Sequence, residues 1–332
     1  MSRVSVIIPA YNAASFISST LASVAGQTRP ADEVIVVDDG STDATAEVVR
    51  RWESILPVRL LRLEENIGRG LGAGGARARG IEVATGDLIA LLDADDLWFP
   101  EHLEVMLAEH ERRDGLVTAN YLLWVPGREV GRKPAGELVP IPAEGEQSLA
   151  ILSENFVFVS VLFARSLYDQ AGPFRNIRCE DWDLWIRMVR AGARIHMPDQ
   201  VTALYRQGAA SVSGTDKLLI GDIDLLEEMR PDLTGPARDT VDAALQRRRA
   251  KQAFLAGVAL AGEGRTWAAR RRWLDAIRAD LTLGRNQSLL NGRVAPRALA
   301  CLVAPRLMTR LRDQRQSDPA FVVGRRPLRR AA

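Results

Sequence analysis

Between Val4 and Arg112 the chain alternates four times between a short, β-branched apolar run and a stretch with helical spacing. This rhythm is the strongest constraint on the fold. Val34–Val37 and Leu88–Leu92 are apolar at every position and Val4–Pro9 at all but Ser5, so both faces of these strands need covering, and helices returning over both sides of a mostly parallel sheet provide that cover. The predicted strands are Val4–Pro9, Val34–Val37, Val58–Leu63 and Leu88–Leu92. The predicted helices are Ala14–Val24, Thr42–Trp52, Ala76–Ala84 and Pro100–Arg112, the last with a proline suited to a first turn. With 332 residues, 47% of them hydrophobic, the chain can bury this core and a further packing unit.

Acidic residues gather beyond the strand ends, where open α/β sheets bind ligands. The second strand runs into Asp38-Asp39-Gly40-Ser41-Thr42-Asp43. Two compatible readings apply: a strand-to-helix turn with Ser41 as the helix cap, and a carboxylate accepting hydrogen bonds from a base N–H or sugar hydroxyls. The fourth strand ends in Asp93-Ala94-Asp95-Asp96, three mutually repelling carboxylates with no basic residue close by in sequence. That pattern invites Mg²⁺ or Mn²⁺ held by one or two carboxylates plus diphosphate oxygens, the plain alternative being a solvated acidic loop. A third cluster, Glu180-Asp181-Trp182-Asp183, opens a helix. Its carboxylates either cap free backbone N–H groups or include a base that takes the proton of an attacking hydroxyl. Asp181 is the candidate base, with Glu180 second and suited to orienting hydroxyls. Trp182 and Trp185 are candidates for sugar stacking or for the core, Trp185 more for the core.

Gly68–Gly75 is glycine-rich but is no dinucleotide fingerprint, because that turn follows a first strand, where this chain has Ala10-Tyr11-Asn12-Ala13-Ala14. It also lacks the Gly-Lys-Ser/Thr of a phosphate loop, and reads as a pliable lead into a helix bearing Arg77 and Arg79. Arg77 either reaches a diphosphate or stays an exposed helix arginine. His102, His110 and His196 have no metal-ligand spacing, and His102 and His110 are expected on a helix surface, so no imidazole base is assigned.

The net charge of +2 gives no argument for a nucleic-acid partner. Cys179 and Cys301 lie too far apart to suggest a disulfide framework or a Cys-x-x-Cys site. Ile81–Leu92 and Phe156–Ala164 are too short or too interrupted to span a bilayer, and the N-terminus enters a strand without an export-type apolar region, so a soluble, cytoplasmic protein is expected. Pro126–Gly145 reads as a long loop or flap, Phe156–Ala164 as a strand, Asp181–Ala191 as a helix and Ile195–Tyr205 as a return strand interrupted at Pro198. From Asp216 to about Leu311 the pattern is nearly all helical, with breaks at Gly262-Glu263-Gly264 and Gly284. The expected organisation is a catalytic domain over 1–215 (donor side 1–115, acceptor side 116–215), a helical extension over 216–314 and a basic tail over 315–332.

Taken together, these residues resemble the inverting family 2 glycosyltransferases of the GT-A fold. The resemblance rests on Val4-Ser5-Val6-Ile7-Ile8-Pro9-Ala10-Tyr11-Asn12, Val37-Asp38-Asp39-Gly40-Ser41-Thr42-Asp43, Gly86-Asp87-Leu88-Ile89 with Leu92-Asp93-Ala94-Asp95-Asp96-Leu97-Trp98, and Glu180-Asp181-Trp182-Asp183-Leu184-Trp185. It covers Val4 to Ser213 and leaves out the helical last third. It implies a GT-A α/β fold with a mostly parallel central sheet. It also implies single-displacement sugar transfer from a nucleotide-diphosphate sugar, with a divalent cation, Mn²⁺ or Mg²⁺. By resemblance, Asp39 contacts the base, Pro9 and its neighbour Tyr11 line the nucleotide pocket, and Arg77 sits near the diphosphate. Asp93 and Asp95 match the ends of the metal motif, Asp95 as the better ligand, and Asp181 matches the base.

Two departures stand out. Extra glycine-rich residues separate Asn66 and Gly68 from Ala76-Arg77, with Ala78 at the family's asparagine, and no histidine follows Tyr205-Arg206, leaving Arg206 or Ser211 to compensate. Gln246-Arg247-Arg248-Arg249-Ala250 is only a faint echo of the Gln-x-x-Arg-Trp of processive synthases, so non-processive transfer is expected. The expected acceptor is a glycan, a lipid-linked glycan or a small molecule, in cell-surface glycan or polysaccharide biosynthesis. The competing classes are a nucleotidyltransferase acting on sugar phosphates and a noncatalytic sugar-binding protein. The extension is expected to be a helical bundle. Alternatively, Leu302, Val303, Leu307, Met308 and Leu311 beside Arg306, Arg310 and Arg312 form a peripheral contact with the inner face of a membrane.

Overall fold

The computed structural model describes residues 2–69, 71–125, 130–131, 133–207, 216–281, 298, 301 and 302. The chain divides into two compact units, residues 1–151 with 155–209, and residues 152–154 with 210–332.

The first unit contains β1 (Val4–Ala10), α1 (Ile17–Ala25), β2 (Glu33–Asp38), α2 (Thr45–Arg50), β3 (Val58–Arg62), α3 (Gly74–Val83), β4 (Leu88–Leu91), β5 (Leu97–Trp98) and α4 (His102–Arg112). It continues with β6 (Leu116–Thr118), β7 (Asn120–Trp124), α5 (Ala135–Leu138), α6 (Gln147–Ser153, whose last residues join the second unit), β8 (Val161–Ala164), α7 (Arg165–Ala171), α8 (Glu180–Arg190), β9 (Ile195–His196) and β10 (Val201–Arg206). Seven strands form the main sheet in the order β3-β2-β1-β4-β8-β6-β9. The first four are mutually parallel, with Ile7 opposite both Ile35 and Leu91. Every residue of β1 and β4 is buried, as strands covered on both faces must be.

The sheet is mostly parallel, as expected, but β8 runs antiparallel to β4 and β6. A second sheet, β5-β10-β7, carries β10 parallel to β7 and antiparallel to β5. The single return strand expected over Ile195–Tyr205 is therefore two strands in two sheets, because the segment around Pro198 cannot continue one ladder. The strand expected from Phe156 begins only at Val161. Phe158 and Ser160 ahead of it bond individually to Thr118, Ala119 and Trp98.

Two further expectations are corrected. Ser41 does not cap α2; its Oγ accepts the Asn12 N–H at 2.9 Å and joins the turns after β1 and β2. His102 is buried and stacks on Trp98 at 4.0 Å, with Nδ1 3.1 Å from the Thr202 hydroxyl. Burial pushes its pKa down to about 3, so it is a neutral packing element.

The second unit contains α9 (Asp216–Met229), α10 (Gly235–Gly262) and α11 (Thr266–Leu281). The break at Gly262–Gly264 falls where the sequence places it, with Gly264 at φ +77° between α10 and α11. Trp273 lies against Gly257, where an added Cβ would come within 2.4 Å of the indole Nε1. Buried Arg248 pairs with Asp222 at 2.9 Å and donates to the Ser153 carbonyl at 2.9 Å. Cys179 and Cys301 are both buried and not joined in a disulfide. Among the described residues no helix is long and apolar enough to cross a membrane. Gly284, the segment 303–312 and the tail 315–332 lie outside the described residues.

Gly80 sits where α3 crosses β1 and β2, and a Cβ there would lie 2.5 Å from Ile7 Cγ2 and 3.0 Å from Val37 Cγ2. Glycine-to-alanine inside a helix ordinarily stabilises by about 1 kcal/mol. Gly80→Ala is expected to destabilise by about 1–3 kcal/mol through overpacking, checked by urea unfolding.

Candidate active site

The site begins at the carboxyl ends of β1 and β2. Asn12, at φ +50°, accepts the Thr42 N–H at 2.8 Å, and Asp39 N–H bonds the Ala10 carbonyl at 2.8 Å. The paired aspartates differ. Buried Asp38 accepts the Ser41 N–H at 2.9 Å and faces Arg62 at 3.5 Å, which makes it part of its own turn. Asp39 reaches away from the turn and accepts Ile67 N–H at 2.8 Å and Gly68 N–H at 3.2 Å, fixing the loop before α3. Pro9 is buried opposite Val37, whereas Tyr11, at the strand's end, is 51% exposed.

The loop's glycines answer to Glu180. A Cβ on Gly72, at φ +150°, would lie 2.3 Å from Glu180 Oε2, and one on Gly74 would lie 2.6 Å from Glu180 Cγ. Glu180 Oε1 accepts the Ala73 N–H at 2.9 Å and Arg77 Nη1 at 2.7 Å, and Arg77 Nη2 donates to Asp93 Oδ1 at 2.6 Å. Arg77 is only 4% exposed, so it is not the exposed helix arginine that its sequence neighbourhood allows. Burial works against its charge, but Asp93 and Glu180 outweigh it and the guanidinium's pKa is raised.

The carboxylates expected from sequence thus converge. Burial and the charge of Asp93 push Asp95 up to about 6. Burial, with Asp93 and Asp95, raises Asp96 well above the usual range. Burial, reinforced by Glu180 and opposed by Arg77, pushes Asp181 up to about 7. Asp181 is hydrogen-bonded by Asn155 Nδ2 at 3.2 Å and by Trp182 N–H at 2.7 Å. The sequence view of the acidic loop as lacking basic company is corrected. Arg77 bonds Asp93, and Arg206 donates from Nε to the Asp95 carbonyl at 2.7 Å and from its backbone N–H to Asp96 at 2.8 Å. Arg206 lies over Trp124 at 4.2 Å and Phe16 at 5.0 Å. Ser211, its alternative, lies outside the described residues.

No group of three or more His, Cys, Asp or Glu among the described residues is placed to hold a metal ion. Asp93 and Asp95 suit a different arrangement. Asp95, whose ionisation is already impeded by burial and by the charge of Asp93, would gain from a cation that takes its other ligands from phosphate oxygens and water.

Trp182 and Trp185 both belong to the core, Trp182 donating its indole N–H to the Ile151 carbonyl at 2.7 Å. Sequence reasoning missed the half-buried aromatic group Tyr121, Phe158 and Tyr205, with ring centroids 4.1–5.6 Å apart. Two of these rings stand on β7 and β10, two positions on adjacent strands of the second sheet that only the fold brings together.

Residues 5–170 match the family profile described as "Glycosyl transferase family 2". The chain belongs to glycosyl transferase family 2. It is 34% identical over 214 residues to the amylovoran biosynthesis glycosyltransferase AmsB of Erwinia amylovora, covering 60% of this chain and 68% of that protein. Its fold is similar to S. aureus TarS residues 1–349 in complex with UDP-GlcNAc, with TM-score 0.61 and 22% identity over 94% of this chain and 92% of that one. It is also similar to the mannosyltransferase PcManGT of Pyrobaculum calidifontis in complex with GDP-Man and Mn²⁺, with TM-score 0.59 and 20% identity over 97% and 85% of the two chains. The GT-A architecture expected from sequence is the one observed, and the protein is a glycosyltransferase.

Within this family 2 site, Arg77→Met removes the shared guanidinium and leaves Glu180 and Asp93 facing each other uncompensated. The expected loss is about 3 kcal/mol of unfolding free energy, measured by denaturant titration at pH 7.

Proposed function

We propose that this glycosyltransferase moves a sugar from a nucleoside-diphosphate sugar to an acceptor hydroxyl in one displacement, with inversion at the anomeric carbon. The observation that carries the reading is Asp181, a carboxylate held near neutral pKa beside Glu180, Arg77 and Asp93. A base with pKa about 7 is substantially ionised near neutral pH and basic enough to accept the acceptor's proton as its oxygen attacks. As the new C–O bond forms, the bond from the anomeric carbon to the β-phosphate oxygen breaks, and its electron pair leaves with the nucleoside diphosphate.

Glu180, engaged by Arg77 and Ala73, positions the start of α8 and with it Asp181. Asp39, Pro9 and Tyr11 form the nucleotide side, Asp39 keeping lone pairs for a base N–H after its two backbone contacts. Arg77 contributes positive charge toward the diphosphate while tied to Asp93. Asp95, with Asp93, would hold Mn²⁺ or Mg²⁺, which would neutralise charge on the departing diphosphate. PcManGT, a structural relative, binds GDP-Man with Mn²⁺, and that supports the cation and the donor class. AmsB's part in amylovoran biosynthesis supports a role in building polysaccharide or cell-surface glycan, on a glycan, lipid-linked or small-molecule acceptor. We propose a cytoplasmic, non-processive enzyme.

For the test, nucleotide-sugar donors are screened with Mn²⁺ for thermal stabilisation and then for transfer or hydrolysis. Asp95→Ala is expected to abolish the metal-dependent shift. Asp181→Asn is expected to keep donor binding and to lose about 10³-fold in kcat. A flat response to every donor would refute the reading.

Two pH effects follow from the raised pKa of Asp181. Ionised Asp181 is the active form, so kcat/KM rises about tenfold per pH unit below 7 and levels off above it. Its protonated form is favoured by the fold, so the associated stability is full below about pH 4 and lost as pH rises through 7. Asp181→Asn, which cannot ionise, is expected to melt higher than the wild type at pH 8, read by differential scanning calorimetry, while remaining inactive.

A further inference from the structure

The helix α11 carries two tryptophans with opposite fates. Trp273, with Ala269 and Ala276, is fully buried, and these residues are α11's part of a small core that also includes Ala298 and Cys301, with Ala253 and Phe254 of α10 packed against it. This is the helix's apolar stripe, and it is already covered. The opposite face nevertheless carries Trp267, 84% exposed, and Leu274, 44% exposed. At 3.6 residues per turn, positions 267, 270, 271, 274 and 278 fall on one side. That side therefore reads Trp267, Arg270, Arg271, Leu274 and Arg278, all exposed.

Packing does not account for this face, since a solvated helix surface has no use for an indole left almost entirely in water. Its charge is also one-sided. Between Lys251 and Leu281 the chain has six cationic and three anionic side chains. Arg278 has Asp275 at 3.9 Å and Arg265 has Glu263 at 3.4 Å, whereas Arg270 and Arg271 have no ion pair among the described residues. An indole and a leucine set among arginines suit a bilayer interface, with the ring at headgroup depth and the guanidinium groups on lipid phosphates.

We propose that this face of α11 is an anionic-lipid-binding surface, which docks the protein peripherally on a membrane. It uses none of the residues of the basic segment 306–312, and it stands whether or not the donor and metal assignments hold. The partner is a bilayer bearing negatively charged headgroups. A soluble acidic protein would pair with the arginines but give Trp267 no apolar phase to enter.

The experiment uses the full chain and vesicles of phosphatidylcholine alone or with about one third phosphatidylglycerol, read by co-sedimentation and by quenching of tryptophan with brominated acyl chains. The wild type is expected to bind the anionic vesicles and not the neutral ones. Trp267→Ala and the double variant Arg270→Glu/Arg271→Glu are expected to bind at least tenfold more weakly, with unchanged circular dichroism and melting. Arg50→Glu/Arg51→Glu, an equal charge change at exposed positions of the first unit, is expected to bind like the wild type. Brominated lipid is expected to quench the wild type and to lose most of that effect in Trp267→Phe. Equal binding of the α11 variants and the wild type, equal binding to neutral and anionic vesicles, or quenching that survives Trp267→Phe would each overturn the proposal.

Discussion

One buried guanidinium joins parts of the chain that are far apart in sequence. Arg77, on α3, donates to Asp93 beyond β4 and to Glu180 at the start of α8, a span of more than a hundred residues. Without it, burial would press several like charges together with no compensation, and the pKa values of Asp95 and Asp181 show how strong that pressure already is. The ion pair is therefore better understood as a device for assembling the acidic site than as a source of net stability. Its position brings Asp93 and Glu180 onto one cation, with Asp181 beside them.

The glycine-rich loop serves the same junction. Gly72 and Gly74 leave room for the Glu180 side chain to lie against the backbone, and Glu180 in turn fixes Ala73 and Arg77. Asp39 holds the loop's other end through Ile67 and Gly68. The turn after β2 and the start of α8 thus hold opposite ends of one loop, Asp39 at Ile67 and Gly68 and Glu180 at Ala73. Arg206 performs a comparable service on the far side of the acidic turn, where two aromatic rings hold its guanidinium against the Asp95 carbonyl.

Much of this was legible in the residues alone because the information was local. The buried strands β1, β2 and β4 announce themselves through consecutive apolar positions, and the strand-end carboxylates follow them directly. Glu180 and Asp181 were readable as acidic residues at a helix start, suited to capping or to a base. The illegible parts are the long-range ones. Nothing near Val161 indicates that β8 must run antiparallel to β4, and nothing near Arg77 reveals two carboxylate partners. His102 has the helical spacing of a surface residue, and only the packing of Trp98 and Thr202 around it makes it a core residue. Tyr121, Phe158 and Tyr205 are ordinary strand and loop aromatics until the fold brings them together.

The central claim is that Arg77 and Glu180 act as one unit, and a double-mutant cycle measures it directly. Unfolding free energies of the wild type, Arg77→Met, Glu180→Gln and the double variant are compared at pH 7. The account predicts a coupling of about 1–3 kcal/mol, the double variant being far less damaged than the two single losses would sum to. Additivity within about 0.5 kcal/mol would mean that the guanidinium and the carboxylate do not depend on each other, and would contradict it.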